Sequence, residues 1–141
     1  MRSLLLFLLM LCASSIGWAK TSEVVLQSIA MESAGEPMAG QVAVASTIIN
    51  RARRAGKSLE WAVLRPKQYS CWNSPKWART WLSKHYTPKT RENALSALNS
   101  AIVNTVPNIR HYHTVNIKPY WAVGHRPCLV IGHHAFYEGI K

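Results

Sequence analysis

The chain has 141 residues, which is enough for one domain with a modest hydrophobic core. It carries 17 Lys and Arg residues against 6 acidic residues, a formal net charge of +11, and it contains no Asp. Carboxylate chemistry must therefore use one of six glutamates, and anionic partners are attracted to the surface.

Residues 1–19 have the pattern of a secretory signal peptide. Arg2 supplies a short positive region, an apolar run follows from Leu4 to Leu11, and the small residues Gly17 and Ala19 occupy the cleavage-site positions. A retained membrane anchor is the alternative interpretation. We predict a periplasmic or secreted protein, without stable membrane insertion after cleavage, whose catalytic domain spans residues 20–141.

The first part of that domain has helical periodicity. Residues 22–34 are predicted to form a helix with Ser22 as its cap, and Gly35 follows as a stop signal. Residues 38–54 are predicted to form a second, strongly apolar helix that ends at Gly56.

The rest of the chain changes from helical to extended character. A short helix is predicted over residues 59–64, an irregular aromatic segment over 65–88, and a long helix over about 89–103. Residues 111–141 alternate in polarity and are predicted to form short strands and loops. The predicted fold class is α+β, with helices first and a small antiparallel sheet last.

Two cysteines remain after the predicted cleavage, Cys71 and Cys128. In an oxidising compartment a lone pair of cysteines favours a disulfide, and two free thiols are the alternative. A catalytic cysteine is less favoured outside the cytoplasm.

Two of the six glutamates, Glu32 and Glu36, lie four residues apart where the first predicted helix ends. A carboxyl group that faces the apolar side of the next helix would be desolvated, which favours its neutral form. A neutral carboxyl is what a general acid needs. On spacing alone, solvated or capping glutamates are the commoner interpretation, so the pattern only nominates this pair.

Four motifs carry a family resemblance. The long one is E-S-A-G-E-P-x-x-G-Q-V-A-V-A-x-x-I-x-N-R, from Glu32 to Arg51. It is followed by P-K-Q-Y-S at residues 66–70, R-H-Y-H at 110–113 and I-G-H-H-A-F-Y at 131–137. Together they resemble the SleB/CwlJ-type cell wall hydrolases, which include spore-cortex-lytic enzymes.

The resemblance implies a compact lysozyme-like fold that acts on peptidoglycan glycan strands. It implies that Glu32 is the catalytic acid and that Glu36 has a supporting role, such as holding a turn through backbone N–H groups. The sequence departs from the family pattern at its cysteine pair, in its Trp-rich segment and at His133, where Asn is commoner.

A mechanism with one carboxylate fits this chain better than the usual glycosidase pair. Glu32 would protonate the oxygen between N-acetylmuramic acid (MurNAc) and N-acetylglucosamine (GlcNAc). It would then act as a base toward the muramoyl C6 hydroxyl, giving a 1,6-anhydro product, or toward water as in a muramidase. The residues predicted to bind substrate or to support Glu32 are Glu36, Gln68, Tyr69, Ser70, Tyr112, His113 and Tyr137.

Residues 71–81 interleave aromatic rings with basic side chains. If this segment is helical, Trp77 and Trp81 share a face on which sugars could stack. Single-stranded nucleic acid would suit the same pattern, but the secretory signal argues against nucleic acid as a partner. Tryptophans that cover a thin core are the structural alternative.

His111 and His113 alternate, so on a strand they point to one face, where a zinc ion could bind. The rival function is therefore a zinc-dependent N-acetylmuramoyl-L-alanine amidase, although the chain has no H-E-x-x-H motif and no Asp. A non-catalytic cationic protein that binds the wall is the other alternative. Our prediction is a monomeric glycan-cleaving enzyme without metal or cofactor.

Overall fold

The computed structural model describes residues 22–141, and the predicted signal peptide lies outside them. The elements of this part are five α-helices, two 3-10 turns and three strands. In chain order they are α1 (Glu23–Ser33), α2 (Met38–Ala55), α3 (Leu59–Leu64), a 3-10 turn (Ser70–Trp72), α4 (Pro75–His85), α5 (Pro88–Val103), β1 (His111–Thr114), a 3-10 turn (Tyr120–Ala122), β2 (Leu129–Ile131) and β3 (His134–Tyr137). The α+β prediction is confirmed. No helix within residues 22–141 combines the length and apolar character needed to cross a bilayer.

The first two helices follow their sequence signals closely. Gly56 ends α2 in the left-handed conformation with a φ of 62°, and its N–H bonds to the carbonyls at the end of the helix, as expected for a glycine cap. Ser22 is the N-cap residue of α1, as predicted, but its side chain makes no capping hydrogen bond. The Ser22 carbonyl accepts from Val25 and Leu26 instead, and its hydroxyl caps no backbone N–H.

The segment predicted to be irregular contains a whole helix, α4, which is a correction. Ser74 accepts a bond from the N–H of Trp77 at 3.3 Å, and Pro75 occupies the first helical position. Proline is tolerated there because the first N–H groups of a helix have no intrahelical partner. Helix α5 also begins with a proline, Pro88, after a capping residue; here Thr87 and Thr90 form a reciprocal capping box.

The sheet is small and antiparallel, in the order β1-β3-β2. Phe136 on the central strand is paired with Tyr112 of β1 and Leu129 of β2. All four residues of β3 are buried, because this strand has a neighbour on each side and a helix behind it.

Helix α2 joins the two halves of the domain. One side contributes Ile48 and Ile49 to a helical core shared with α1 and α5. The same helix also contributes Ala43 and Val44 to a second cluster with Ile109 and Phe136 of the sheet region. This arrangement sets the C-terminal end of α1 opposite β1.

The predicted disulfide is absent, because Cys71 and Cys128 are both free thiols. Cys71 is buried in the helical core, whereas Cys128 lies beside the sheet, where its N–H and thiol both bond to the carbonyl of Phe136. The two residues belong to different packing units. Burial, reinforced by the charge of Glu32, raises the pKa of the Cys71 thiol, which therefore stays protonated.

Candidate active site

A cleft of about 350 Å³ opens between the helical half and the sheet. Its walls come from the end of α1, the loop before α4, strand β1 and the segment that follows β1. The side chains that line it are Glu32, Arg51, Lys67, Gln68, Ser70, Asn73, Tyr112, His113, Thr114, Ile117, Pro119, Trp121 and His134. All six glutamates lie in the described part of the chain, and Glu32 is the one that reaches this cleft.

Three groups from two different walls hold the Glu32 carboxylate. Its Oε1 accepts from the backbone N–H of Cys71 at 3.0 Å and from the Ser70 hydroxyl at 3.4 Å. Its Oε2 accepts from the Tyr112 hydroxyl at 2.6 Å. Both hydroxyls can also act as acceptors, so this arrangement can hold Glu32 with or without its proton.

Tyr112 connects Glu32 to the core. Its ring packs against Phe136 and His134, with centroids 5.5 and 5.0 Å away. Burial, followed by the negative charge of Glu32, raises the pKa of the Tyr112 hydroxyl well above its ordinary value. Tyr112 therefore stays a phenol that can donate to Glu32.

Tyr69 does not line the cleft, whereas its neighbours Gln68 and Ser70 do. Its side chain is 2% exposed and its hydroxyl shares a hydrogen bond of 3.1 Å with Thr47 on α2. Burial raises the pKa of Tyr69 to about 12. The Arg51 guanidinium lies over the Tyr69 ring, 4.9 Å from its centroid. The Tyr69 ring also packs against Tyr112, so Tyr69 supports a cleft residue from within the core.

Glu36 is directed away from the cleft. Its side chain is 7% exposed, and it accepts from the His133 backbone N–H at 2.9 Å and from His133 Nδ1 at 3.0 Å. Gly132 has a φ of 55°, and a Cβ built there would lie 1.9 Å from a Glu36 oxygen. Glu36 therefore fastens the start of α2 to the turn between β2 and β3.

His113 lines the cleft and is held in one orientation. Its Nδ1 must donate to the Thr114 carbonyl at 2.7 Å, which leaves Nε2 to accept from the Tyr137 hydroxyl at 2.8 Å. Tyr137 is 3% exposed and contacts Trp121 edge-on, with an interplanar angle of 87°. Like Tyr69, Tyr137 is placed to support a cleft residue and does not line the cleft itself.

The rings of α4 form a row along one face. Trp77, Trp81 and His85 are in contact as tilted rings with centroid distances of 6.5 and 5.3 Å, which confirms that Trp77 and Trp81 share a face. Of residues 71–81, however, Asn73 is the one that lines the cleft. The indole in the cleft is Trp121, from a segment that the sequence did not single out.

His111 and His113 do point to the same face, where both rings pack on Trp121 at 5.4 and 5.6 Å. Within residues 22–141, no group of three His, Cys, Asp or Glu side chains is placed to hold a metal ion.

Sequence reasoning missed three cleft residues that lie inside the quoted motifs: Arg51, Lys67 and His134. Arg51 ends the long motif and bonds through its guanidinium to the carbonyls of Gln68 and Arg110. His134 follows His133. Its Nδ1 is buried and has no hydrogen-bond partner among residues 22–141, and burial lowers the pKa of its ring. Their motif positions were visible, but the direction of their side chains depends on the fold.

Comparison with known proteins agrees with this geometry. The cell wall hydrolase family profile matches residues 35–137, a range that begins three residues after Glu32. The chain is similar to the catalytic domain of the germination-specific lytic transglycosylase SleB from Bacillus anthracis, with 26% identity, a TM-score of 0.57, and coverage of 84% of this chain and 97% of that one. It has the same fold as the catalytic domain of the Bacillus cereus SleB protein, with 23% identity, a TM-score of 0.55, and coverage of 79% and 84%. No curated protein matches the chain significantly in sequence.

Three observations agree with one another: the four motifs, the order of helices followed by a sheet, and the profile match over most of the described residues. The chain belongs to the cell wall hydrolase family, of the SleB/CwlJ type that its motifs predicted.

Proposed function

We propose that this protein is a peptidoglycan lytic transglycosylase that cleaves the bond between MurNAc and GlcNAc, with Glu32 as its single catalytic acid. Family membership and the similarity to the lytic transglycosylase SleB of Bacillus anthracis support the reaction class. The observation that carries the residue assignment is the position of Glu32. It is the glutamate on the cleft, and its carboxylate is held from two walls.

The geometry supports different roles for the two motif glutamates. Glu36 has both oxygens engaged by His133 and is almost fully buried, so it cannot reach a sugar without breaking the β2–β3 turn. Glu32 faces the space where a sugar would lie. We therefore assign chemistry to Glu32 and positioning to Glu36.

The proposed reaction moves one proton in a cycle. Protonated Glu32 gives its hydrogen to the glycosidic oxygen, the C1–O bond breaks, and positive charge develops on the muramoyl C1 and ring oxygen. The Glu32 carboxylate then takes the hydrogen of the muramoyl C6 hydroxyl, and O6 bonds to C1. The product is a 1,6-anhydro sugar, and Glu32 recovers its proton without consuming water.

The residues around Glu32 serve each half of this cycle. Tyr112 can accept from protonated Glu32 and donate to the carboxylate, while the Cys71 N–H stabilises the ionised form. Trp121, His113 and Gln68 lie where they can contact the sugars. We propose a substrate-binding role for Gln68, Ser70 and His113, and a supporting role for Tyr69, Tyr112 and Tyr137.

The test is the Glu32→Gln variant on purified sacculi, with soluble muropeptides followed by mass spectrometry. We expect product release to fall by about 100- to 10,000-fold, which is the usual contribution of a positioned general acid, while circular dichroism and Tm stay near wild type. The wild-type products should carry anhydro ends, each lighter than a reducing end by one water. Full activity in Glu32→Gln would refute the assignment, and reducing ends would change the reaction to that of a muramidase.

The same assay distinguishes the other functions. A zinc amidase would release free peptides and lose activity in chelator. A cationic binder would yield no new products, and its attachment to the wall would weaken strongly with salt. Glycan cleavage that persists in chelator contradicts both.

The proposal includes an extracytoplasmic location, periplasmic or secreted, which suits an enzyme of the cell wall. It also includes a monomeric catalytic domain released from residues 1–19. N-terminal sequencing of protein recovered outside the cytoplasm should begin at Lys20, and a start at Met1 would favour a retained anchor.

A further inference from the structure

A second concavity, of about 430 Å³, adjoins the cleft. Arg51 and Gln68 line both spaces, so the two are neighbours. We call the second one the arginine pocket and define it by its charged and aromatic walls: Arg51, Arg54, Arg65, Arg110, Trp61 and His111.

Four arginines and Lys141 line the arginine pocket, and no Asp or Glu side chain within residues 22–141 lines it. The ion pairs found within residues 22–141 join Lys89 with Glu92, Arg91 with Glu23, and His133 with Glu36, all outside the pocket. Glu138 shares a neighbouring depression with Arg54 and Arg110, but it forms no ion pair with either of them.

This concentration of positive charge is unfavourable for the protein alone. The pKa of Arg110 is lowered, first by burial and then by the charges of Arg54 and Arg51. Like charges that are held together repel each other unless an anion is bound between them. The Arg65 guanidinium is already oriented by packing over the Trp61 ring, 5.2 Å from its centroid.

His111 adds an unsatisfied polar atom to the same wall. Its Nδ1 is buried and has no hydrogen-bond partner within the described residues. Burial, followed by the charges of Arg51 and Arg110, lowers the pKa of His111 to about 4, so the ring is neutral near pH 7. Buried polar atoms are rarely left without a hydrogen bond. This one lies near arginines that form no ion pair within residues 22–141, which is consistent with a partner that the protein itself does not supply.

We propose that the arginine pocket binds the carboxylates of the peptide attached to muramic acid, so that this protein prefers peptide-bearing glycan to stripped glycan. This inference rests on the proposed function, because that function puts a muramoyl residue in the adjoining cleft. An anion covalently linked to that sugar needs to pass only Arg51 and Gln68 to enter the pocket. Guanidinium groups match carboxylates in a bidentate geometry. In intact strands the lactyl carboxyl of muramic acid is used in the amide bond to the peptide, so the carboxylates near the cleft are those of the peptide.

The experiment compares glycan strands that carry the peptide with the same strands after an amidase has removed it and the freed lactyl carboxylate has been converted chemically to an amide. The second substrate then has neither the peptide nor a carboxylate on muramic acid. For the wild-type enzyme we expect kcat/KM to be about tenfold higher on peptide-bearing strands, in line with a charge-assisted contact that is partly exposed. Arg54→Gln and Arg65→Gln should each reduce that ratio by about three- to tenfold. Both side chains are exposed, so the variants should fold. Arg79→Gln removes the same charge from exposed α4 and should leave the ratio unchanged.

The outcomes separate this inference from the proposed function. If neither substrate is cleaved, the proposed function fails. If both are cleaved at equal rates, or if Arg54→Gln and Arg79→Gln behave alike, the proposed function stands and the inference is overturned.

A binding measurement gives a readout independent of turnover. In the Glu32→Gln variant, muramyl tripeptide should raise the His111 pKa observed by NMR, because an anion placed beside the ring favours its charged form. Inorganic phosphate and a glycerol phosphate oligomer serve as comparison anions. Tighter binding of the phosphodiester, with displacement of the muramyl tripeptide, would assign the pocket to phosphate and overturn the proposal.

Discussion

Tyr112 is the residue through which the core positions the proposed catalytic group. One end of its side chain packs among Tyr69, Phe136 and His134, and the other end donates to Glu32. Its hydroxyl therefore fixes the position of the Glu32 carboxylate, which is on a helix, relative to the sheet.

Replacing Tyr112 with Phe should lower kcat by about 10- to 100-fold, which corresponds to one hydrogen bond to a charged group. The ring packing survives, and the freed Glu32 oxygen faces the cleft, where water can replace the phenol. We therefore expect Tm to stay close to that of the wild type. The measurement is single-turnover muropeptide release, with a thermal melt on the same sample.

Tyr69→Phe is the matched control. It removes a hydroxyl whose partner is Thr47, inside the core, with no contact to Glu32. This variant should lose about 1 kcal/mol of stability and little rate. If the two variants have the same kcat, Tyr112 does not position Glu32.

The β2–β3 turn illustrates how one element holds another. Glu36 precedes α2, yet its carboxylate is engaged by the backbone and ring of His133 on the turn. The turn can approach so closely because Gly132 has no Cβ. This contact fixes the start of α2 against the sheet that carries His134 into the cleft.

Gly132→Ala should destabilise the protein by at least about 2 kcal/mol, because a side chain there is strained and also displaces the Glu36 carboxylate. Gly124→Ala is the control, since Gly124 also has a positive φ, of 81°, but a Cβ there meets nothing within 4 Å. That variant should lose about 1 kcal/mol, from backbone conformation alone. Urea unfolding measures both, and equal losses would contradict the proposed role of the Glu36 contact.

At the scale of the whole molecule, the excess positive charge and the buried histidines make stability depend on pH. The pKa of His111 is lowered to about 4 and that of His134 is also lowered, in each case chiefly by burial. Between pH 6.5 and 4 the unfolded chain binds protons on these rings that the folded chain does not. Stability is therefore lost as pH falls through this window.

We expect the free energy of unfolding to drop by about 1–2 kcal/mol between pH 7 and pH 5, after allowing for the partial exposure of both rings. His111→Phe keeps a ring against Trp121 and removes one titrating group, so its pH profile should be flatter. Urea unfolding at several pH values tests this. A wild-type profile that is level from pH 7 to 5 would contradict it.

The sequence alone determined the fold class, the family and most element positions. Helix α2 was predictable because its apolar periodicity and Gly56 are local signals. The family was predictable because each of the four motifs is a continuous stretch of the sequence. The missed helix α4 shows the limit of such signals, because Pro75 and Pro88 are as consistent with helix starts as with breaks, and the choice depends on the capping groups Ser74 and Thr87.

Only the tertiary structure decided what each motif residue faces. Glu32 and Glu36 are the same residue type and lie four residues apart in the sequence. Packing nevertheless places Glu32 on the cleft, whereas Glu36 contacts His133, which is almost 100 residues away in the sequence. The same holds for the arginine pocket, whose charges come from α2, the loop after α3 and the entry to β1. Periodicity reports which side of an element is apolar; which groups meet across elements depends on how the cores of the helices and the sheet pack together.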